Sequence, residues 1–152
     1  MLPYICNTGI ITAIGNDTAS NLAQLRKGEH GITLPEYVAT THPFPVGEIK
    51  YSNAALATMA GVTETLPRTA LLSIIAAKEA WAPFAHQSNG LRIGLISSNT
   101  VGGMDITEQH YEALKSKEDF DCNVVAHHEC GNITNLTAKH LGLNCFTATI
   151  ST

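Results

Sequence analysis

The sequence predicts an α/β fold, and three observations carry the prediction. Arg92 to Ser97 reads R-I-G-L-I-S, a continuous apolar run of strand length. Cys145 to Ser151 alternates, with Phe146, Ala148 and Ile150 on one face and Thr147, Thr149 and Ser151 on the other. Between and before these runs lie segments with helical spacing, and strands alternating with helices imply layers of helix and sheet.

Taken in order, Leu2 to Ile14 reads as a strand, interrupted at Asn7-Thr8-Gly9 and rich in β-branched Ile10, Ile11 and Ile14. Gly15-Asn16-Asp17-Thr18 is a turn and a helix start, with Asp17 or Thr18 able to cap the free N–H groups that follow. Leu22 and Leu25 mark the expected buried side of that helix, and Gly28 its stop. Gly31 to Ile49 holds Pro35, Pro43 and Pro45 and little periodicity, so a surface loop is expected. Asn53 to Ala60 suits a short helix closed by Gly61, and Pro67 sits in the first turn of a longer one. That second helix places Leu71, Ile74, Ile75, Trp81, Ala82 and Ala85 near one stripe, with Lys78 intruding.

The R-I-G-L-I-S strand, expected to be covered on both faces, runs into Asn99-Thr100-Val101-Gly102-Gly103, a loop whose glycines allow close backbone approach. A helix from Met104 to Lys117 and a polar stretch to Asn123 follow. A helix over Gly131 to Leu141 carries Ile133, Leu136, Thr137 and His140 at helical spacing, and Gly142 ends it. With 152 residues, the chain has room for one domain.

Composition narrows the function classes. The chain is 44% hydrophobic and 14% charged, which excludes a disordered, collagenous or coiled-coil protein. Nine Lys and Arg against 13 Asp and Glu give a net charge of −4, so no basic surface for nucleic acid is expected. So small a charged coat suggests surface hidden against another subunit or against a missing half. No apolar run reaches the length of a membrane helix and no secretory leader is seen, so a cytosolic protein with reduced thiols is expected. Asn16, Asn132 and Asn135 head glycosylation triplets that then have no meaning.

The motifs that could carry chemistry are incomplete. His127-His128-Glu129-Cys130 has no second ligand cluster to complete a metal site, and a polar loop before a helix explains it better. Cys6 and Cys145 fall on expected strands and read as small buried hydrophobes rather than exposed thiolates. Val101-Gly102-Gly103 lacks the flanking residues of a phosphate loop, and no serine sits in G-x-S-x-G. The residues alone give an α/β domain without a complete catalytic set.

Three stretches add a resemblance. Thr8 to Asn16, followed by Leu22, Leu25, Gly28 and Gly31-Ile32, resembles the opening strand, helix and turn of the β-ketoacyl-acyl-carrier-protein synthases. Arg92 to Gly103 is similar to that family's R-I-G-x-x-x-G-T/S-x-x-G-G. Leu141-Gly142-Leu143 with Phe146 to Thr152 resembles the strand leading into its T-A-C-S/A-S/T-G. Asn144-Cys145 stands where the family has Gly-Pro, and Ser98-Asn99-Thr100 lacks its usual glycine.

The resemblance implies a thiolase-like layered fold (α-β-α-β-α in the intact enzyme), of which residues 1–152 are the N-terminal half, ending about two residues before the nucleophilic cysteine. It implies decarboxylative Claisen condensation of an acyl thioester with malonyl-ACP in fatty acid or polyketide synthesis. The partners would be an acyl carrier protein, acyl and malonyl thioesters, and a second subunit in a homodimer or heterodimer, with no cofactor, metal, nucleic acid or membrane. No catalytic residue falls in this half, so the chain alone is expected to be inactive. Val101 and Val124 match positions lining the acyl pocket. The alternatives are an accessory subunit of chain-length-factor type and a free-standing α/β binding domain. The strand pair is expected to leave a sheet face uncovered, so that the chain by itself self-associates.

Overall fold

The computed structural model describes residues 2–86, 90–116 and 123–151, apart from the side chains of Asn123 and Val124. The elements in order are α1 (Thr18–Lys27), β1 (Ile32–Thr33), β2 (Val46–Gly47), α2 (Asn53–Ala60), α3 (Arg68–Trp81), a 3-10 turn (Ala82–Phe84), β3 (Gly94–Ser98), α4 (Met104–Gln109), α5 (Tyr111–Ser116), α6 (Asn123–Ala126), α7 (Cys130–His140) and β4 (Phe146–Ile150). β3 and β4 pair in parallel, Gly94 opposite Phe146 through Ser98 opposite Ile150. The chain between them crosses over through helices, as a parallel pair requires.

The helix ends follow the sequence. Asp17 caps α1 in a reciprocal box with Ser20, Ser52 caps α2, and Gly28, Gly61 and Gly142 terminate α1, α2 and α7 in the left-handed conformation. Helices α2, α3 and α7 enclose the core, built from Leu56, Ala60, Val62, Leu66, Ala70, Leu71, Ile74, Ile133 and Leu136. Lys78 leaves its stripe by donating from Nζ to the Ala60 carbonyl at 2.6 Å, at the negative end of α2.

Several expectations are corrected. Leu2 to Ile14 is not a strand: its only bridge among the described residues joins Thr12 to Gly15. The segment lies along α3, whose backbone is internally paired and offers no ladder. It is held instead by Asn7 Nδ2 donating to the carbonyls of Glu79 and Ala80 at 3.0 Å, and by the Ile10 N–H donating to Glu79 Oε2 at 2.9 Å. The Glu79 carboxylate also accepts the Thr18 N–H at 2.7 Å. Leu22 and Leu25 do not form the buried side of α1, since Leu25 is 64% exposed while Asn21 is 4% exposed. Polar bonds seat this helix: Asn21 bonds Thr12 Oγ1 and donates to the Asp17 carbonyl.

The segment from Gly31 to Ile49 is not wholly loop, because β1 and β2 form a two-pair antiparallel ladder. Pro67 stands at the cap of α3 rather than inside its first turn, and the helix ends at Trp81, before Ala82 and Ala85. The helix expected from Met104 to Lys117 is divided at His110, whose Nδ1 lies 2.9 Å from the Ile106 carbonyl. The polar stretch after it is outside the described residues up to Cys122.

The sheet departs most. The R-I-G-L-I-S strand, expected from its apolar run to be covered on both faces, is covered on one only, with Ile96 64% exposed, which agrees instead with the uncovered sheet face expected of the strand pair. Its outward face joins Ile96 to Phe146 and Ile150, both more than half exposed. The inward face, against α7, carries Leu95 but is otherwise hydroxylic, with Ser97, Thr147 and Thr149. Thr134 of α7 is 1% exposed, and its hydroxyl lies 2.5 Å from both Ser97 of β3 and Thr149 of β4. Replacing Thr134 with Val keeps the shape, removes this bridge and leaves two hydroxyls without it. We expect a loss of about 2 kcal/mol in urea unfolding, and a Thr134→Ser variant retains most of the stability. A larger loss in Thr134→Ser than in Thr134→Val would show that the methyl group, not the hydroxyl, matters.

Candidate functional site

The site predicted from sequence is the loop between β3 and α4. The Asn99 N–H donates to the Ile150 carbonyl at 3.3 Å, so the loop starts by extending the β3–β4 ladder. The Asn99 side chain then bridges outward: Nδ2 donates to the Cys130 carbonyl at 3.2 Å and Oδ1 accepts the Gly102 N–H at 3.0 Å. Gly102 has φ of +53°, and a Cβ there would lie 1.9 Å from the His128 carbonyl oxygen. A Cβ on Gly103 would lie 2.3 Å from the His127 carbonyl oxygen. The paired glycines therefore let the loop seat directly on the His127-His128 turn.

Val101 is at the apex of this loop and 49% exposed, so its side chain is available to a ligand or a covering layer. Val124 lies in α6, a helix packed on α4, and its side chain is outside the described residues. The structure thus brings the Val101 loop against the segment that follows Val124, through Gly102 and Gly103.

The His127-His128-Glu129-Cys130 run does not converge. His127 Nδ1 lies 3.1 Å from Asn132 Nδ2, while His128 Nδ1 lies 3.1 Å from Thr107 Oγ1. Among the described residues no group of three or more His, Cys, Asp or Glu could hold a metal ion. Cys130 opens α7 and accepts a hydrogen bond from the Ser151 hydroxyl at 3.6 Å. Cys145 is half-buried, but Cys6 is exposed, contrary to its expected place in a buried strand; without a ladder, nothing covers it.

Sequence reading missed a second polar constellation beneath the loop. Arg68 at the start of α3 uses its guanidinium fork on the carbonyls of Tyr51 and Ile49 and on Asn53 Oδ1, at 2.6 to 2.9 Å. Its N–H donates to Asp105 Oδ2 at 2.9 Å, while Asp105 Oδ1 is buried without a partner among the described residues. Asp105 thereby serves the N-terminus of α3, which Pro67 cannot cap with a side chain. The arrangement joins α2, α3 and α4 below the loop. Spacing gives no sign of it, since Arg68 and Asp105 are 37 residues apart.

No protein-family model matches the chain, and no curated protein does. The fold is a mixed α/β arrangement, with a parallel strand pair, a helical crossover between the strands and a glycine loop after the first of them. It is similar to a solved structure described as "The ishigamide ketosynthase/chain length factor", with a TM-score of 0.77 and 18% identity. The match covers 97% of this chain and 39% of that one. Among the described residues no helix is long and apolar enough to cross a membrane.

Proposed function

We propose that the chain is the N-terminal part of a ketosynthase-type condensing enzyme, acting in fatty acid or polyketide synthesis. The observation that carries the reading is the fold match over 97% of the chain, across 39% of a ketosynthase/chain length factor. The residues that resemble the β-ketoacyl synthases support it. In this reading β4 leads into a helix whose N-terminus bears the nucleophilic cysteine, about two residues past Thr152. Partial positive charge and free N–H groups there lower the thiol pKa, so that a thiolate takes the acyl group from a carrier thioester. Decarboxylation of malonyl-ACP then gives an enolate that attacks this acyl group, and histidines of the other half stabilise the developing negative charge. The reaction needs no metal or cofactor, and its setting is the cytosol.

Within this reading Val101 and Val124 line the acyl pocket, Val124 reaching it across a homodimer or heterodimer interface. The small Val101 side chain leaves depth for a long acyl chain. Val101→Phe in the intact enzyme is expected to shift the products to shorter chains, read by mass spectrometry of the released acyl groups. An unchanged distribution would remove Val101 from the pocket.

The same match favours a second reading, because the neighbour's description names a chain length factor beside the ketosynthase. An accessory subunit would keep the fold, lack the nucleophile and pair with an active synthase. The intact mass and peptide map of the protein from its native host separate the two. A product that continues into Ala-Cys and releases CO2 from malonyl-ACP supports the enzyme. One that stops, or continues without cysteine, and is inactive alone supports the accessory subunit.

A further inference from the structure

Glu48 immediately follows β2 and is only 6% exposed, although it is a carboxylate on the margin of a proline-rich segment. Three consecutive backbone N–H groups donate to it. Glu36 reaches Oε2 at 2.7 Å, while Tyr37 and Val38 reach Oε1 at 2.9 and 2.6 Å. Successive amides converging on one carboxylate make a small anion nest, here filled by the chain's own side chain. Apart from this nest, the segment between Leu34 and Pro45 is tied down by the two-pair ladder of β1 and β2 at its base and by Lys50, which bonds the Leu34 carbonyl and Glu36.

The amides held by Glu48 belong to residues that form a wall. Tyr37 and Val38 face a cleft of about 700 Å³, whose opposite side is formed by Asn53, Arg68, Asp105 and Glu108. The opposite side is fixed: Arg68 is held by three acceptors and Asp105 by the start of α3. On the near side, the amides of Glu36, Tyr37 and Val38 are held by one carboxylate.

We propose that Glu48 is a latch, and that residues 36–45 are a flap which its carboxylate holds as the outer wall of this cleft. Loss of the Glu48 charge frees the flap while the helical core stays folded.

The charged groups around the latch are few. Lys50 lies on the same strand exit, Glu36 is on the flap, Arg68 comes from α3, and Asp105 and Glu108 come from α4. Burial pushes the Glu48 carboxyl up, but the three N–H bonds and the charge of Lys50 outweigh it and leave the group below the ordinary glutamate value. A lowered folded-state value means that the latch is formed above the ordinary carboxylate range. It is lost as pH falls through the Glu48 value.

The test is amide hydrogen exchange on the full protein at pH 7, comparing wild type, Glu48→Gln and Glu36→Gln. In Glu48→Gln we expect the protection of the 36, 37 and 38 amides to fall about tenfold or more. Protection around Ile74 in α3 is expected to stay at its wild-type level. Glu36→Gln removes the partner of Lys50 but not the latch, and is expected to leave all of these amides protected. Unchanged protection at 36–38 in Glu48→Gln would overturn the proposal. So would an equal loss in α3, which would make Glu48 a residue of the fold rather than of a flap. Loss at 36–38 in Glu36→Gln alone would assign the latch to the Lys50–Glu36 pair instead.

Discussion

Gly102→Ala is expected to weaken the fold by about 3 kcal/mol or more. Two penalties coincide at this residue. Its φ of +53° is a conformation that side-chain-bearing residues adopt with strain, and the added Cβ would meet the His128 carbonyl oxygen at 1.9 Å. The obstacle is backbone, so no rotamer change relieves it. Either the loop lifts away, breaking the Asn99 bridges to Gly102 and Cys130, or the His127-His128 turn moves and disturbs the start of α7. The control is Gly47→Ala, where nothing lies within 4 Å of the new carbon and φ is ordinary. Urea unfolding of the two variants checks the prediction, and a Gly102→Ala midpoint matching that of Gly47→Ala would refute it.

The second large effect is at Ile74. This side chain is fully buried in α3 and belongs to the cluster with Leu56, Leu71 and Ile133. Truncation to Ala removes the transfer energy of three carbons and leaves a hole between rigid helices, a loss of about 2 to 5 kcal/mol. For a domain of this size that lowers Tm by about 4 to 20 °C. The same truncation at Leu25, also helical and apolar, is expected to change stability by less than about 0.5 kcal/mol because the side chain already faces solvent. If the two truncations are equally damaging, the core has been placed on the wrong helix faces.

These contrasting pairs show what could be read in advance. Caps and stops were legible because they are local: Asp17, Gly28, Gly61 and Gly142 act on atoms within a few residues. The alternation of β4 was legible for the same reason. Which face turns inward was not legible, since it depends on Thr134, a residue that presents hydroxyl rather than carbon to the sheet. The R-I-G-L-I-S run suggested two covered faces because hydrophobicity marks what can be buried, not what is. Leu2 to Ile14 has strand composition, yet its neighbour is a helix, and a ladder needs a partner. For the candidate site, the glycine pair and Val101 were visible as a loop after a strand, while the Arg68–Asp105 contact spans 37 residues and the Glu48 nest closes a loop of 10 to 12 residues that has no periodicity to mark it.

Glu79 fixes the order in which the chain can take shape. Its carboxylate holds the backbone of Ile10 and Thr18, which precede it by 69 and 61 residues. During synthesis those two residues are made well before the side chain that pins them. At about 5 to 20 residues per second, the delay is roughly 3 to 14 s. Throughout that interval the segment bearing Leu2, Tyr4 and Ile5 has no anchor on α3, so these apolar side chains are made well before the carboxylate that holds their neighbours.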